Sequence, residues 1–427
     1  MGSPRPGRAR RRIPRYPGIL FPRSGNRPAG ALATETFNER TPRAKAGETE
    51  AGTEAFNAWV PRARASEARS RYGESVPGAS GFRLEDYEFA YPRSLIATAP
   101  ATPRDAARML VLDRTTGRIE HRRFLDLPQY LRPGDCLVLN RSKVLPARLV
   151  GRKPTGGKVE LNLVRRLAPD RWTALSANLK PGVEVLFPGG IRASVESLDP
   201  EGEWILRFSV GEVELLMLRH GHAPLPPYIQ KRRKRLPPAA VEDRDRYQTV
   251  YAREEGSVAA PTAGLHFTPE LLEALRRQGV RVAEVVLHVG RGTFRPVTAR
   301  DIRAHRMLPE RFYIPDGTAA ALREARRDGG RVIAVGTSSV RTLETIARRG
   351  GGANGAHSPI EETELFILPG HRFLSVDALI TNFHQPASTP LLLTSSFAGR
   401  ERLLEAYHAA IAREYRLFSY GDSMLIV

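Results

Sequence analysis

The chain has 427 residues, 41% of them hydrophobic, and carries 66 Lys and Arg against 46 Asp and Glu, a formal charge of +20. The length suits two domains of roughly 100 to 200 residues each, and no apolar run approaches the roughly 18 to 20 residues that span a bilayer, which excludes a membrane-helix protein. The positive excess points to an acidic partner, most commonly a nucleic acid. The one cysteine, Cys136, excludes an intrachain disulfide or a multi-thiolate zinc site; set between Asp135 and Leu137 it reads as a core residue. No secretory signal is visible, so a cytoplasmic location is expected.

Residues 1–83 differ from the rest. The first thirty hold eight arginines and no acid, and no helical or strand period persists. Such a segment cannot bury enough apolar area to offset its chain entropy, so a disordered tail is expected. It reads as an extension without function, in preference to a basic arm that adds non-specific RNA affinity.

Structure is expected from about Leu84. Met109–Asp113 and Ile119–Phe124 flank Arg114-Thr-Thr-Gly117 as a hairpin, and Asp135–Leu139 reads as a buried strand. From Arg148 to Leu218 short alternating segments recur between glycine-rich turns, which predicts an inserted small all-β barrel domain, residues 148–218. Lys231-Arg-Arg-Lys-Arg235 reads as an exposed loop, because five like charges repel one another.

From Thr268 the chain alternates helix and strand. Thr268 is an N-cap with Pro269 just inside it and a stripe of Leu271, Leu272 and Leu275. A strand at 281–287, a helix at 318–327, a strand at 331–335, a helix at 339–349, a strand at 378–380 and a helix at 400–414 follow. The fold class is therefore an α/β core, a mixed sheet with flanking helices, formed by residues 84–147 and 219–427.

Polar and glycine-rich strings stand at the ends of these strands: Ala260–Thr268, Leu287–Pro296, Val335–Arg341, Thr381–Pro386 and Ser419–Ser423. Ligands of open α/β folds bind there. Gly336 and Thr337 open a helix, whose free N–H groups suit a carboxylate or phosphate. His266, His288 and His384 each sit in one of the strings, and Asp422 in another. The histidines lack the close spacing of a zinc site, so no metal is inferred. Asn140–Arg148 places Arg and Lys beside Asn and Ser, which suits phosphate.

Taken in order, these strings resemble the S-adenosylmethionine:tRNA ribosyltransferase-isomerase family of queuosine biosynthesis. The resemblance runs from Leu84 to Val427. It is carried by Gly256-Ser-Val-Ala-Ala-Pro-Thr-Ala-Gly-Leu-His-Phe-Thr268, Pro224-Leu-Pro-Pro-Tyr-Ile229, Arg246-Tyr-Gln-Thr-Val-Tyr-Ala252, Leu287-His-Val-Gly290, Gly292-Thr-Phe-Arg-Pro-Val297, Val340-Arg-Thr-Leu-Glu344, Thr381-Asn-Phe-His384 and Phe418-Ser-Tyr-Gly-Asp422. Ser142-Lys143 and Gln385 depart from the family's usual Thr-Arg and Leu.

The resemblance implies transfer of the ribosyl part of S-adenosylmethionine to 7-aminomethyl-7-deazaguanine at the wobble position of tRNAs with a GUN anticodon. The product is epoxyqueuosine, with release of adenine and methionine. S-adenosylmethionine is a consumed co-substrate and no true cofactor is implied; a monomer is expected. On this reading His266, His384 and Asp422 transfer protons. Thr262, Gly264, His288, Gly290, Gly292, Thr293, Gly336 and Thr337 bind S-adenosylmethionine. Arg141, Lys143, Arg148, Lys158 and Arg341 contact tRNA. A methyltransferase and a non-catalytic RNA-binding protein are the competing readings. The first lacks its glycine-rich loop and ribose-binding acid; the second lacks an aromatic-studded strand motif.

Overall fold

The computed structural model describes residues 81–177, 179–236, 241–290, 292, 296–350 and 360–427. All of them fall in a compact unit spanning Glu48–Val427. The expected tail lies outside the described residues except for 81–83.

A hairpin of β1 (Arg108–Leu112) and β2 (Ile119–Arg123) forms as expected and is followed by β3 (Cys136–Asn140) and β4 (Ser142–Val144). The chain then enters a closed antiparallel barrel of β5 (Arg148–Arg152), β6 (Lys158–Ala168), β7 (Arg171–Leu175), β8 (Glu184–Leu186), β9 (Arg192–Leu198) and β10 (Trp204–Phe208). Its strands alternate because each has one face on a private core of Leu149, Leu161, Val185, Leu206 and their neighbours. Closure brings β5 against β8 so tightly that a Cβ on Gly151 would lie 2.6 Å from Val185 Cγ1. A helix absent from the sequence reading, α1 (Val213–His220), lays Val213, Leu216 and Met217 on the same core. The entry and exit of this excursion meet: Arg148 and His222 exchange both backbone hydrogen bonds, at 3.1 and 2.9 Å.

Beyond it α2 (Pro227–Arg233) and α3 (Asp243–Arg246) form, and β11 (Glu254–Ser257) runs parallel to β4. The basic run Lys231–Arg235 is thus not a loop over its first half. Its charges are relieved by acceptors: Arg233 reaches Asp243 Oδ1 at 2.8 Å and the Thr98 carbonyl, and Arg232 takes the Arg93 carbonyl. Their place in the last turn also suits the helix dipole.

The rest of the chain is α4 (Pro269–Arg277), β12 (Arg281–Leu287), β13 (Glu310–Tyr313), α5 (Thr318–Arg327), β14 (Val332–Val335), α6 (Thr337–Arg348), β15 (Glu361–Thr363), β16 (Ala378–Asn382), α7 (Thr389–Ala398), α8 (Arg400–Ala412) and β17 (Ser423–Ile426). The Thr268 hydroxyl caps α4 as expected, accepting from the Leu271 amide at 3.2 Å. These strands join β1–β3 in one nine-stranded mixed sheet of order β15-β13-β12-β3-β14-β16-β17-β1-β2. β12, β3, β14 and β16 are parallel, so their carboxyl ends share one edge. β3 and β14 are apolar almost throughout because helices cover both faces. Val138 and Ala334 face α5–α8, while Leu137 and Ile333 face α4 and Phe124. Cys136 is fully buried there, and burial pushes its thiol up to about 12, as befits a core residue. Among the described residues no helix is long and apolar enough to cross a membrane.

Candidate active site

The parallel strand ends open on a cavity of about 350 Å³. β14 delivers Gly336, Thr337 and Ser338 to its wall; β16 delivers Thr381, Asn382 and His384; the turn before α4 adds Thr262. Phe418 and Ser419, just before β17, come to the same edge because β17 runs antiparallel to β16.

Gly336 is the N-cap of α6 at φ +84, a conformation glycine adopts at no steric cost, and no side chain caps the helix. The first-turn N–H groups of α6 therefore face the cavity without an intrahelical partner. By contrast α7, which also begins at the cavity, is capped by the Ser388 hydroxyl on the Leu391 amide. Asn140 fixes the open turn from below: its Nδ2 reaches Ser338 Oγ at 3.1 Å and the Leu287 carbonyl at 2.9 Å.

His384 lines the cavity. Its Nε2 lies 2.7 Å from the Thr381 hydroxyl, and its backbone N–H donates to Tyr407 Oη at 2.7 Å. Burial pushes its pKa down to about 3, so the ring is neutral at physiological pH. His266 lies one layer behind, 5% exposed, with Nε2 3.1 Å from Asn382 Nδ2. Burial lowers it to about 4, against a partial opposing pull from Asp422.

Asp422 is 1% exposed and is not brought to the cavity. Its carboxylate accepts from the backbone and side chain of both Arg108 and Arg416, at 2.8 to 3.4 Å. It clamps the start of β1 to the turn before β17.

The expected S-adenosylmethionine residues divide in the same way. Thr262, Gly336 and Thr337 line the cavity. Gly264 does not: a Cβ there would lie 1.9 Å from Tyr251 Oη, so this glycine answers a packing need. His288 stacks under Gly256, whose φ of +141 and lack of a side chain leave room for the ring, and burial lowers its pKa. The Gly290 amide is taken by Glu310 Oε1 at 2.8 Å. A Cβ on Gly292 would sit 3.2 Å from Leu308, outside the cavity. Thr293 lies outside the described residues.

All five expected tRNA contacts are paired with carboxylates. Arg141 forks onto Glu284 and Glu254 at 2.9 Å each, Lys143 meets Glu255 at 2.8 Å, Arg148 meets Glu160 at 3.4 Å and Lys158 meets Glu160 at 3.0 Å. Lys158 remains exposed and Lys143 is half-buried. Arg341 is the least exposed of the five: its side chain is 7% exposed, bound to Glu310 and to the carbonyls of Leu365 and Thr363, and it lines the cavity wall.

Several wall residues escaped the sequence reading. Asn382 and Ser419 stood inside quoted strings, unremarked beside a histidine and an aspartate. Tyr228 stood unremarked in Pro224–Ile229, and Glu88 and Tyr91 come from a segment with no chemical motif.

Small molecules bind at this end of open α/β sheets, and an open helix N-terminus favours an anionic group. The molecule is built as an α/β enzyme with an anion-receptive cavity and an appended β-barrel. Comparison with known proteins narrows the class: the chain belongs to the queuosine biosynthesis protein family, whose model matches residues 84–426. The S-adenosylmethionine:tRNA ribosyltransferase-isomerase of Moorella thermoacetica is 49% identical over 352 residues, covering 81% of this chain and 100% of that protein. The proteins of the same name from Symbiobacterium thermophilum and Thermotoga maritima are each 48% identical, with the same coverage. The crystal structure of the S-adenosylmethionine tRNA ribosyltransferase of Thermotoga maritima is 39% identical, covers 80% of this chain and 100% of that one, and superposes with a TM-score of 0.44.

Proposed function

We propose that the protein transfers and isomerises the ribosyl moiety of S-adenosylmethionine onto 7-aminomethyl-7-deazaguanine at the tRNA wobble position. The products are epoxyqueuosine-tRNA, adenine and methionine. The observation that carries this reading is the 49% identity to a ribosyltransferase-isomerase across that protein's entire length. The site is chemically suited to it. The methionyl carboxylate of S-adenosylmethionine fits the open first turn of α6 at Gly336 and Thr337. The sulfonium acidifies the adjacent ribose C–H, and a neutral imidazole is the form that accepts a proton. His384, on the cavity wall with its Nε2 at the Thr381 hydroxyl, is assigned that transfer. Asn382 and His266 behind it set the wall's hydrogen-bond polarity, and Asp422 holds the turn that carries Phe418 and Ser419. S-adenosylmethionine is consumed, so it acts as a co-substrate. We assign the protein a cytoplasmic, monomeric existence and tRNAs with a GUN anticodon as its partners.

The test is a product assay with S-adenosylmethionine and tRNA carrying the aminomethyl-deazaguanine base, read by mass spectrometry. Adenine, methionine and an epoxycyclopentane-bearing nucleoside are expected. S-adenosylhomocysteine would move the protein to the methyltransferases, and tRNA binding without turnover would make it a binding protein. His384→Ala should lower the single-turnover rate about 10²-fold or more; an unchanged rate would remove His384 from the chemistry.

A further inference from the structure

One part of the cavity wall has no role in the account above. Glu88 is the one carboxylate among the described residues that line the cavity, and it stands exposed at the rim with no ion pair to a described cation. Arg341, the one guanidinium on the wall, is already bound to Glu310. Next to Glu88 stands a wall of three aromatic rings. Phe418 packs edge-on against Tyr91, with centroids 5.1 Å apart, and against Tyr228 at 5.3 Å. Burial raises the Tyr91 hydroxyl; the nearby Arg93 opposes this, and the Glu88 carboxylate adds a smaller lift.

The backbone marks the same place. Phe418 sits at φ +72, a left-handed conformation that a bulky residue rarely adopts. Strain of this kind collects at ligand clamps. Here it sets the Phe418 ring, 2% exposed, into the cavity wall against Tyr91 and Tyr228.

Aromatic rings stack bases that have been drawn out of a nucleic acid strand, and a carboxylate beside such rings selects a cation. Resting on the proposed function, we infer that Glu88, Tyr91, Phe418 and Tyr228 form the subsite for the modified wobble base. The half-buried Tyr91 and Tyr228, backed by Phe418, stack the deazaguanine, and the Glu88 carboxylate binds its protonated aminomethyl group. The adenine of S-adenosylmethionine is a poorer occupant, because it carries no cation for Glu88. The sulfonium is placed elsewhere, a short methylene chain from the carboxylate on α6. A rim position also suits a ligand that arrives attached to a polymer. Glu88 is thereby a specificity residue that lets the enzyme tell an aminomethylated base from guanine.

The experiment compares binding of two tRNAs that differ only at the wobble base, one aminomethyl-deazaguanine and the other guanine. Wild type should prefer the modified tRNA, and Glu88→Gln should erase roughly ten- to hundredfold of that preference. Its S-adenosylmethionine affinity and melting temperature should stay at wild-type values. Tyr91→Leu should weaken both tRNAs about equally, since stacking tolerates any base. A folded Glu88→Gln protein that keeps the full preference would overturn the subsite, as would a Tyr91→Leu protein that binds both tRNAs as wild type does. If wild type itself releases no adenine and methionine, the proposed function fails instead.

Discussion

Asn382, in the cavity wall, touches His266 through its amide, its Nδ2 lying 3.1 Å from the ring Nε2. The Asn382 Oδ1 accepts the Thr262 hydroxyl at 2.9 Å, so the amide group turned to the histidine is the donor. His266 Nε2 is then an acceptor, and the ring is neutral with its proton on Nδ1.

This tautomer makes stability depend on pH. Burial lowers His266 to about 4, below its unfolded value of about 6.5. A depressed histidine contributes stability that is complete above the unfolded value and is lost as pH falls through that window toward 4. The expected slope is up to about 1.4 kcal/mol per pH unit for the single proton, and the lowering of His384 adds in the same direction. Urea midpoints measured across the window should fall toward acid, and His266→Gln should flatten the curve. An equal slope in the variant would show that His266 is not the group responsible.

Arg341 and Glu310 should behave as a buried pair. Arg341→Met removes the guanidinium bound to the Glu310 carboxylate, whose side chain is 1% exposed, at a cost of up to about 3 to 5 kcal/mol. Adding Glu310→Gln should recover a large share in urea denaturation. The folded double variant should keep the wild-type salt slope of tRNA binding, because no phosphate contact is lost; a slope reduced by about one unit would return Arg341 to the RNA.

Much of the fold was legible in the chain. Thr268, Pro269 and three leucines announced α4, and the continuous apolar runs of β3, β14 and β16 announced a sheet buried on both faces. The barrel showed because glycine turns separate its alternating strands. What stayed hidden has physical reasons. α7 is buried nearly all round, from Leu391 through Ser395, so it has no amphipathic period to read. β13 and β15 span only Glu310–Tyr313 and Glu361–Thr363 and take their stability from pairing. At the site, a strand-end position located His384 and Thr337 but could not say which way a side chain points. His266 and Asp422 turn inward to partners far away in sequence, and Glu88 comes from a segment whose residues signal no chemistry.

Gly264 tests packing close to the site. Gly264→Ala would push a methyl against the Tyr251 hydroxyl, 1.9 Å away, and should cost about 1 to 3 kcal/mol. Adding Tyr251→Phe removes the nearest atom and should restore part of the loss in a thermal melt. Absence of any recovery would place the strain at Thr249, whose Cγ2 is the next contact at 2.8 Å.

Thr337→Pro probes the open turn of α6. Proline is tolerated at the first position of a helix but has no N–H. The variant should melt like wild type and bind S-adenosylmethionine about tenfold more weakly, as for one lost charge-assisted hydrogen bond. Calorimetry with unaltered affinity would move the carboxylate away from this turn.

The paired backbone bonds between Arg148 and His222 carry a kinetic consequence. Within the barrel β5-β6-β7 and β8-β9-β10 are hairpins between sequence neighbours, and local contacts form early. Once it closes, a long flexible excursion becomes one whose two ends are stapled together. The chain beyond it then starts its search already beside β4, and β11 pairs with β4 without the full loop-closure entropy of the intervening segment. A barrel that closes first would thus clamp the two ends of the core chain together before β11 pairs with β4.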